Sequence, residues 1–336
     1  MVTKKARIED VARLAGVSTT TVSRVINKIP TVNKTSRLKV ESAIHKLKYR
    51  PNISAQRLAG GKKGALGLVI PRFEGIFYSF YAIEIIRGIG TACDAQKLDL
   101  VLHLTDGSTS INLASIDGVI FADILGETEQ LKEVISAGIP SVVINNTAQD
   151  FEITSVSINN KKGAKEATEH LISLGHKRIA HITGDLKTQA AEERLLGFKE
   201  VLSNKGFNLP REYIKHSDYS RHSARTLTLE LLKLKSPPTA IFAASDDMAL
   251  EVEGVIIENS LKVPSDISVV GFDDNPAGCF GPVALTTVKQ PLIEMCQIAV
   301  KELLNQINSK VKEDNKKLML PTKLVVRDST SSPKSN

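Results

Sequence analysis

Cysteine is scarce in this 336-residue chain. Its three cysteines, Cys93, Cys279 and Cys296, are odd in number and scattered. That excludes a disulfide scaffold or a zinc knuckle and fits a reducing compartment. No stretch approaches ~18 uninterrupted apolar residues, so a transmembrane protein is not expected. The opening MVTKKARIED has no apolar segment behind its lysines, so no secretory signal is read and the expected location is the cytoplasm. No Ser–His–Asp or paired-carboxylate arrangement with an evident base emerges. His170, His176 and His181 are spaced for neither a zinc site nor a triad, and read as surface or cap residues. No enzyme, cofactor or metal is expected. Acidic residues are missing from one end: residues 1–63 hold Glu9, Asp10 and Glu41 against fifteen basic residues, a net +12. The remainder has 29 basic against 34 acidic residues, a net −5. A small basic head on a mildly acidic body points to a polyanion, nucleic acid first.

What is present is ordinary for a folded soluble protein: 42% hydrophobic and 24% charged residues. The length allows two or three domains with real cores. In the head, Ile8, Val11, Ala12 and Ala15 repeat with helical spacing. Gly16 offers a left-handed C-terminal cap and Ser18 an N-cap. Val22, Val25 and Ile26 form a second apolar stripe, opposite Thr19, Thr20, Ser23, Arg24 and Asn27. This is a helix-turn-helix pattern, whose second helix fits the major groove of double-stranded DNA. Arg24 can read guanine bidentately, the threonines can meet base edges or a thymine methyl, and Ser18 can touch phosphate. A third helix is expected from about Asn33 to Leu47.

Tyr49-Arg50-Pro51-Asn52 and Gly60-Gly61 then bracket a segment of under two helical turns, unstable alone in water. Leu58 there can act as a wedge between base pairs from the minor groove. By chemistry alone it reads equally well as a buried leucine in a plain linker.

From Leu66 on, β-branched runs alternate with helical patterns. Strands are expected at Leu66–Ile70, Leu98–Leu104, Gly118–Phe121, Ser141–Asn145, Arg178–Thr183, Thr239–Ala244 and Ile267–Phe272. Helices are expected at Phe80–Gln96, Lys161–Leu174, Ala190–Asn204, Ser223–Lys233 and Met248–Ser260, among others. Alternation of this kind implies doubly wound parallel sheets covered on both faces, and their number implies two similar subdomains. Ligands in such sheets sit at the carboxyl ends of strands. Candidates there include the aromatics Phe77 and Tyr78 as a stacking platform, Asn145, and Arg194 with its two-pronged fork. Tyr219, Ser245, Asp246, Asp273 and Asp274 complete the set. An aromatic face, an arginine and carboxylates suit a small polar ligand. Asp246 reads partly as a structural group.

IEDVARLAGVSTTTVSRVIN, YRPNISAQRLA and LGLVIP resemble the lactose-repressor/galactose-repressor family of bacterial transcription regulators. LGHKRIAHITG, PTAIFAASDDMAL, VPSDISVVGFDD and LTTVKQP carry the resemblance along essentially the whole chain. It implies a helix-turn-helix domain at 1–50, a hinge helix and linker at 51–63, and an effector-binding and dimerisation domain at 64–330. That domain would resemble periplasmic sugar-binding proteins, with one subdomain of about 64–159 plus 289–320 and another of about 160–288 plus 321–330. The resemblance implies base contacts for Thr19, Thr20 and Arg24, phosphate contacts for Ser18, Asn27 and Asn33, and hinge roles for Asn52, Ala55 and Leu58. It places Phe77, Tyr78, Asn145, Arg194, Tyr219, Ser245 and Asp273 at effector-contact positions, with Gln290 near a crossing strand. The implied function is a homodimeric repressor on a pseudo-palindromic operator, controlled by a sugar, sugar phosphate or nucleobase-like effector. A variant has a phosphorylated carrier protein as co-effector. A rival reading is a sugar-processing enzyme with a basic appendage.

The sequence departs from the family in places. Asn145 stands where Asp is frequent, Ser245 where Asn is common, and Arg72 where Asp is common. These changes favour an anionic effector such as a sugar phosphate. Only residues 105–116 separate two expected parallel strands, about the minimum for a crossover, so a two-turn helix or an irregular path is expected there. The tail STSSPKSN is polar, with 331–336 expected to be disordered.

Overall fold

The computed structural model describes residues 6–26, 29–49, 63–72, 76–106, 110–124, 128–309, 311 and 314–334. The chain divides into two compact units, residues 1–64 and 65–336.

Among its described residues the first unit contains three helices, α1 (Ile8–Ala15), α2 (Thr19–Ile26) and α3 (Lys34–Lys46). The Asp10 carboxylate accepts the Arg7 N–H at 3.0 Å, closing the first turn of α1. Gly16 ends it at φ 65°, with its N–H returned to Ala12 and Arg13 carbonyls. That conformation costs an L side chain about 1 kcal/mol and glycine nothing. Val11, Val22 and Val40 are fully buried, with Ala12, Ala15, Val25 and Ala43 around them. One small core therefore holds all three helices.

The second unit has two six-stranded sheets. The first runs β11–β5–β4–β3–β1–β2. Its strands are β1 (Ala65–Pro71), β2 (Asp99–Thr105), β3 (Gly118–Phe121), β4 (Ser141–Ile144), β5 (Thr154–Ile158) and β11 (Lys317–Leu320). The second runs β12–β10–β9–β8–β6–β7. Its strands are β6 (Ile179–Ile182), β7 (Ile214–Lys215), β8 (Ala240–Ala243), β9 (Ser268–Asp273), β10 (Thr286–Lys289) and β12 (Lys323–Val325). All pairings are parallel except β10 with β12.

The helices α4 (Phe80–Ala95), α5 (Glu129–Ser136) and α10 (Leu292–Asn308) follow strands of the first sheet or pack on it. The second sheet carries α6 (Asn160–Ser173), α7 (Gln189–Asn204), α8 (Arg221–Leu232) and α9 (Asp246–Glu258). The chain passes between the sheets three times: after β5, after β10, and between β11 and β12. Every residue of β3, β4, β6 and β8 is buried, as expected of parallel strands covered on both faces.

Between β2 and β3 the described residues form no α-helix. They form only the short turn Leu113–Ser115, and Ile111 and Ile116 fill the space under it. Twelve residues are too few to add a helix that also packs.

Two expectations are corrected. The tail is ordered through Lys334. Ser329 is fully buried, donates its hydroxyl to Val269 O at 2.6 Å and accepts the Thr286 N–H at 2.8 Å. The Ser331 N–H donates to Ser268 Oγ at 3.1 Å, and Lys334 pairs with Asp266. Its serines replace absent apolar contacts with hydrogen bonds to the first residues of β9 and β10. His176 and His181, expected at the surface, are buried. His181 stacks on Phe242 at 4.6 Å, and burial pushes its pKa down to about 4. It is a neutral core residue.

Candidate functional site

In the first unit, the side chains expected to face DNA sit on the outside. Thr19, Thr20 and Arg24 are exposed on α2, with Ser23 half-buried. The core side of the same helix is Val22 and Val25. Ser18 accepts the Thr21 N–H at 3.1 Å, and Asn33 Oδ1 accepts the Ser36 N–H at 2.8 Å. Both therefore cap helices, α2 and α3, and both remain exposed. Asn27, Asn52, Ala55 and Leu58 lie outside the described residues.

In the second unit, strand ends from both sheets converge on Arg194. This side chain lies on α7, 3% exposed. Its Nε donates to Asn160 Oδ1 at 2.9 Å and its Nη1 to Ala244 O at 2.5 Å. Its guanidinium lies over the Phe272 ring, 3.7 Å from the centroid. Asp273 is buried at the end of β9 and accepts a hydrogen bond from Gln290 Nε2. Burial pushes its carboxyl well up, with Asp246 adding and Arg194 opposing. Asp123 follows β3; burial raises it to about 6 against hydrogen bonds from Ile124 N–H, Asn146 and Asn145. Tyr219 is also raised by burial, and Arg194, Asp123 and Asp273 all act on it.

The backbone around this cluster is strained. Asn145, Tyr219, Asp273 and Asp274 have φ of 63°, 68°, 139° and 63°, in the region that favours glycine. Such strain collects at binding and catalytic sites, where surrounding structure holds it. Gly184 has its own steric reason: a Cβ there would stand 1.9 Å from Tyr219 Cζ. Only glycine lets the phenol ring lie against this backbone.

Two buried acceptors beside these groups have no partner, Asn145 Oδ1 and Gln290 Oε1. An unsatisfied buried polar atom is costly and calls for an explanation.

The remaining candidates fall differently. Ser245 is the N-cap of α9, accepting the Met248 N–H at 3.4 Å. Asp246 is tied internally, to the Thr287 hydroxyl at 2.5 Å and the Asn275 N–H at 2.7 Å; burial holds it at about 7. Phe77 and Tyr78 lie in the turn before α4 and are 57% and 87% exposed. Sequence reading missed Asp123, although it follows an expected strand and obeys the strand-end rule. It also missed Asn160, which orients Arg194.

A DNA-reading head and a body of two parallel-sheet subdomains define a DNA-binding transcription regulator. Comparison with known proteins agrees. Residues 7–52 match the bacterial regulatory proteins of the lacI family, and residues 168–330 match the periplasmic binding protein-like domain. Catabolite control protein A of Priestia megaterium is 33% identical over 332 residues, covering 96% of this chain and 98% of that protein. The ribose operon repressor of Escherichia coli (strain K12) is 33% identical over 327 residues, covering 94% and 97%. A structure of the lac repressor dimer, bound to operator and the anti-inducer ONPF, aligns with a TM-score of 0.86. It is 29% identical and the alignment covers 98% of this chain and 100% of that one. The chain belongs to the lacI family of bacterial regulatory proteins. It is a DNA-binding transcriptional repressor and not an enzyme. Among the described residues no helix is long and apolar enough to cross a membrane.

Proposed function

We propose that the chain is a homodimeric repressor of a pseudo-palindromic operator, released or recruited by a small neutral, polyhydroxylated effector between its two subdomains. Thr19, Thr20 and Arg24 read bases; Ser18, Ser23 and Asn33 hold backbone phosphates. Asn27 shares the phosphate role, and Asn52, Ala55 and Leu58 serve the hinge. The resemblance supports the roles of these four. The body supplies the second half of the function. Arg194, Asp273, Asn145 and Tyr219 contact the effector, with Phe77 and Tyr78 at its entrance. Ser245 contributes through the turn it caps.

The observation that carries the effector class is the orphaned pair Asn145 Oδ1 and Gln290 Oε1. Both are acceptors, so the missing partner is a donor. Beside them stand the carboxyls of Asp123 and Asp273, with the Arg194 cation acting on both. A phosphate brings chiefly further acceptors to two acceptors that already lack a donor. Sugar hydroxyls bring the missing donors. The anionic effector expected from Arg72 and the substitutions at 145 and 245 is therefore set aside. Arg72 is exposed, with its guanidinium directed at Leu104 O, 3.4 Å away. Two similar proteins carry sugar names, the ribose operon repressor and a CelR–cellobiose complex.

The experiment is a thermal-shift screen of the full chain against neutral sugars, their phosphates and nucleobases. Stabilisation by one or more neutral sugars is expected. A response to phosphates or nucleobases alone overturns the effector class. In parallel, selection from random duplexes at fixed salt is expected to enrich a pseudo-palindrome; retention with no enriched sequence overturns the operator reading.

A further inference from the structure

Among the described residues, two hydrogen-bonded contacts tie the first-sheet subdomain to helices of the second without using a residue placed against the effector. Gln189 opens α7. Its Oε1 accepts the Thr147 N–H at 2.7 Å and its Nε2 donates to Thr147 Oγ1 at 2.7 Å. Thr147 lies in the loop after β4. Asp247 lies in the first turn of α9, and its Oδ2 accepts the Phe80 N–H, the first of α4, at 3.0 Å. A carboxylate there also meets the positive end of that helix. Asp247 Oδ1 accepts Asn275 Nδ2 at 3.2 Å and Arg221 Nη2 at 3.5 Å, which fixes it to its own subdomain.

The placement of these residues gives them a role. Thr147 is two residues beyond Asn145. Gln189 is on the helix of Arg194. Asp247 is two beyond Ser245, and its neighbour Asn275 is two beyond Asp273. Phe80 follows Tyr78 and Ser79. Each contact therefore ties together loops that carry effector-contact positions on opposite subdomains. Both are made by protein groups alone, so they favour closure whether or not effector adds to it. Gln189 uses both ends of its amide on one residue, which fixes orientation as well as distance.

We infer that Gln189 and Asp247 form a clasp that sets how far the two subdomains close, and so the fraction of chains already competent for effector. Apparent effector affinity scales with that fraction. Without the clasp, effector contacts must drive more of the closure, and apparent affinity is expected to fall roughly tenfold. This regulatory meaning rests on the effector reading proposed above; the geometric role of the clasp does not.

The test uses the full chain with Cys279→Ser, since Cys93 and Cys296 are buried. Spin labels are placed at Glu133→Cys on α5 and Ser203→Cys on α7, one on each subdomain. The distance distribution is then measured with and without Gln189→Ala/Asp247→Ala. A narrow distribution that broadens and lengthens in the double variant is expected. Distributions that superimpose overturn the clasp. Thr147→Val removes only the hydroxyl end of one contact and keeps the fold if the double variant does not. It is expected to lengthen the distance less than Gln189→Ala, and to add little on top of it. An independent, additive effect overturns the assignment of that contact. A clasp that opens while no neutral sugar stabilises either form defeats the effector reading and leaves the clasp standing.

Discussion

Single residues in this molecule are set by what surrounds them more than by their type. Glu253 is the sharpest case. It lies on α9, fully buried, with neither carboxyl oxygen partnered. Burial, reinforced by Asp246, pushes its pKa from 4.5 to about 8. The folded chain therefore keeps a proton that the unfolded chain has lost. Stability present below pH 4.5 is lost as the pH rises through about 8. Glu253→Gln keeps the shape and cannot ionise. Its melting temperature is expected to exceed that of the native chain by a margin that grows from pH 5 to pH 8, read by calorimetry. A constant margin would show that the carboxyl is already charged at pH 5. Gly16 is a second case. Gly16→Ala meets no neighbour, since nothing lies within 4 Å of the added carbon, but it is held at φ 65°. A loss of about 1 kcal/mol in head stability is expected from backbone strain alone, measured by urea unfolding followed at head-specific probes.

Among the elements, the recognition helix α2 and the tail yield separate predictions. Arg24 is exposed on α2 and Lys34 starts α3. If Arg24 reads a base, Arg24→Ala costs about 1–3 kcal/mol on the preferred operator and relaxes one position of the selected site. If Lys34 meets phosphate, Lys34→Ala weakens all sequences alike and lowers the salt slope by about one. Binding isotherms across a salt series separate the two. The tail prediction concerns the body. Removing 329–336 strips the hydrogen bonds of Ser329 and Ser331 from β9 and β10, leaving buried partners unsatisfied. A fall of at least about 4 °C in melting temperature is expected; an unchanged melt would mean that the tail only lies on the surface. That tail is also where the sequence misled, because STSSPKSN has no apolar residue to advertise docking. Strands with β-branched runs, such as Gly118–Phe121, were legible. β5 (TSVSI) and β10 (TTVK) were not. Their serines and threonines suggest exposed strands, yet β5 and the first three residues of β10 are buried. The same limit hid the site's backbone, since no sequence rule assigns left-handed φ to Asn145 or Asp273.

For the whole molecule, the proposed operator symmetry requires a second copy, and the exposed surface of the first sheet has the chemistry to hold one. Among the described residues β2 is an edge strand, paired with β1. Val101 and Leu102 on it are each 39% exposed, and Ile83 on α4 is 41% exposed. An edge strand with exposed apolar side chains invites pairing and is normally covered. Covering it with the same surface of a second chain is self-complementary, as twofold symmetry demands. The native chain is therefore expected to sediment at about twice 36.5 kDa at micromolar concentration. Leu102→Glu places like charges opposite each other at such an interface while leaving the fold intact, because the side chain already reaches solvent. The variant is expected to sediment as a monomer, to melt cooperatively, and to lose affinity for a full operator while keeping its weak, salt-sensitive affinity for a half-site. If the variant stays dimeric, the chains pair through another surface. If it becomes monomeric and still binds the full operator as tightly, a single head suffices and the symmetric operator reading fails.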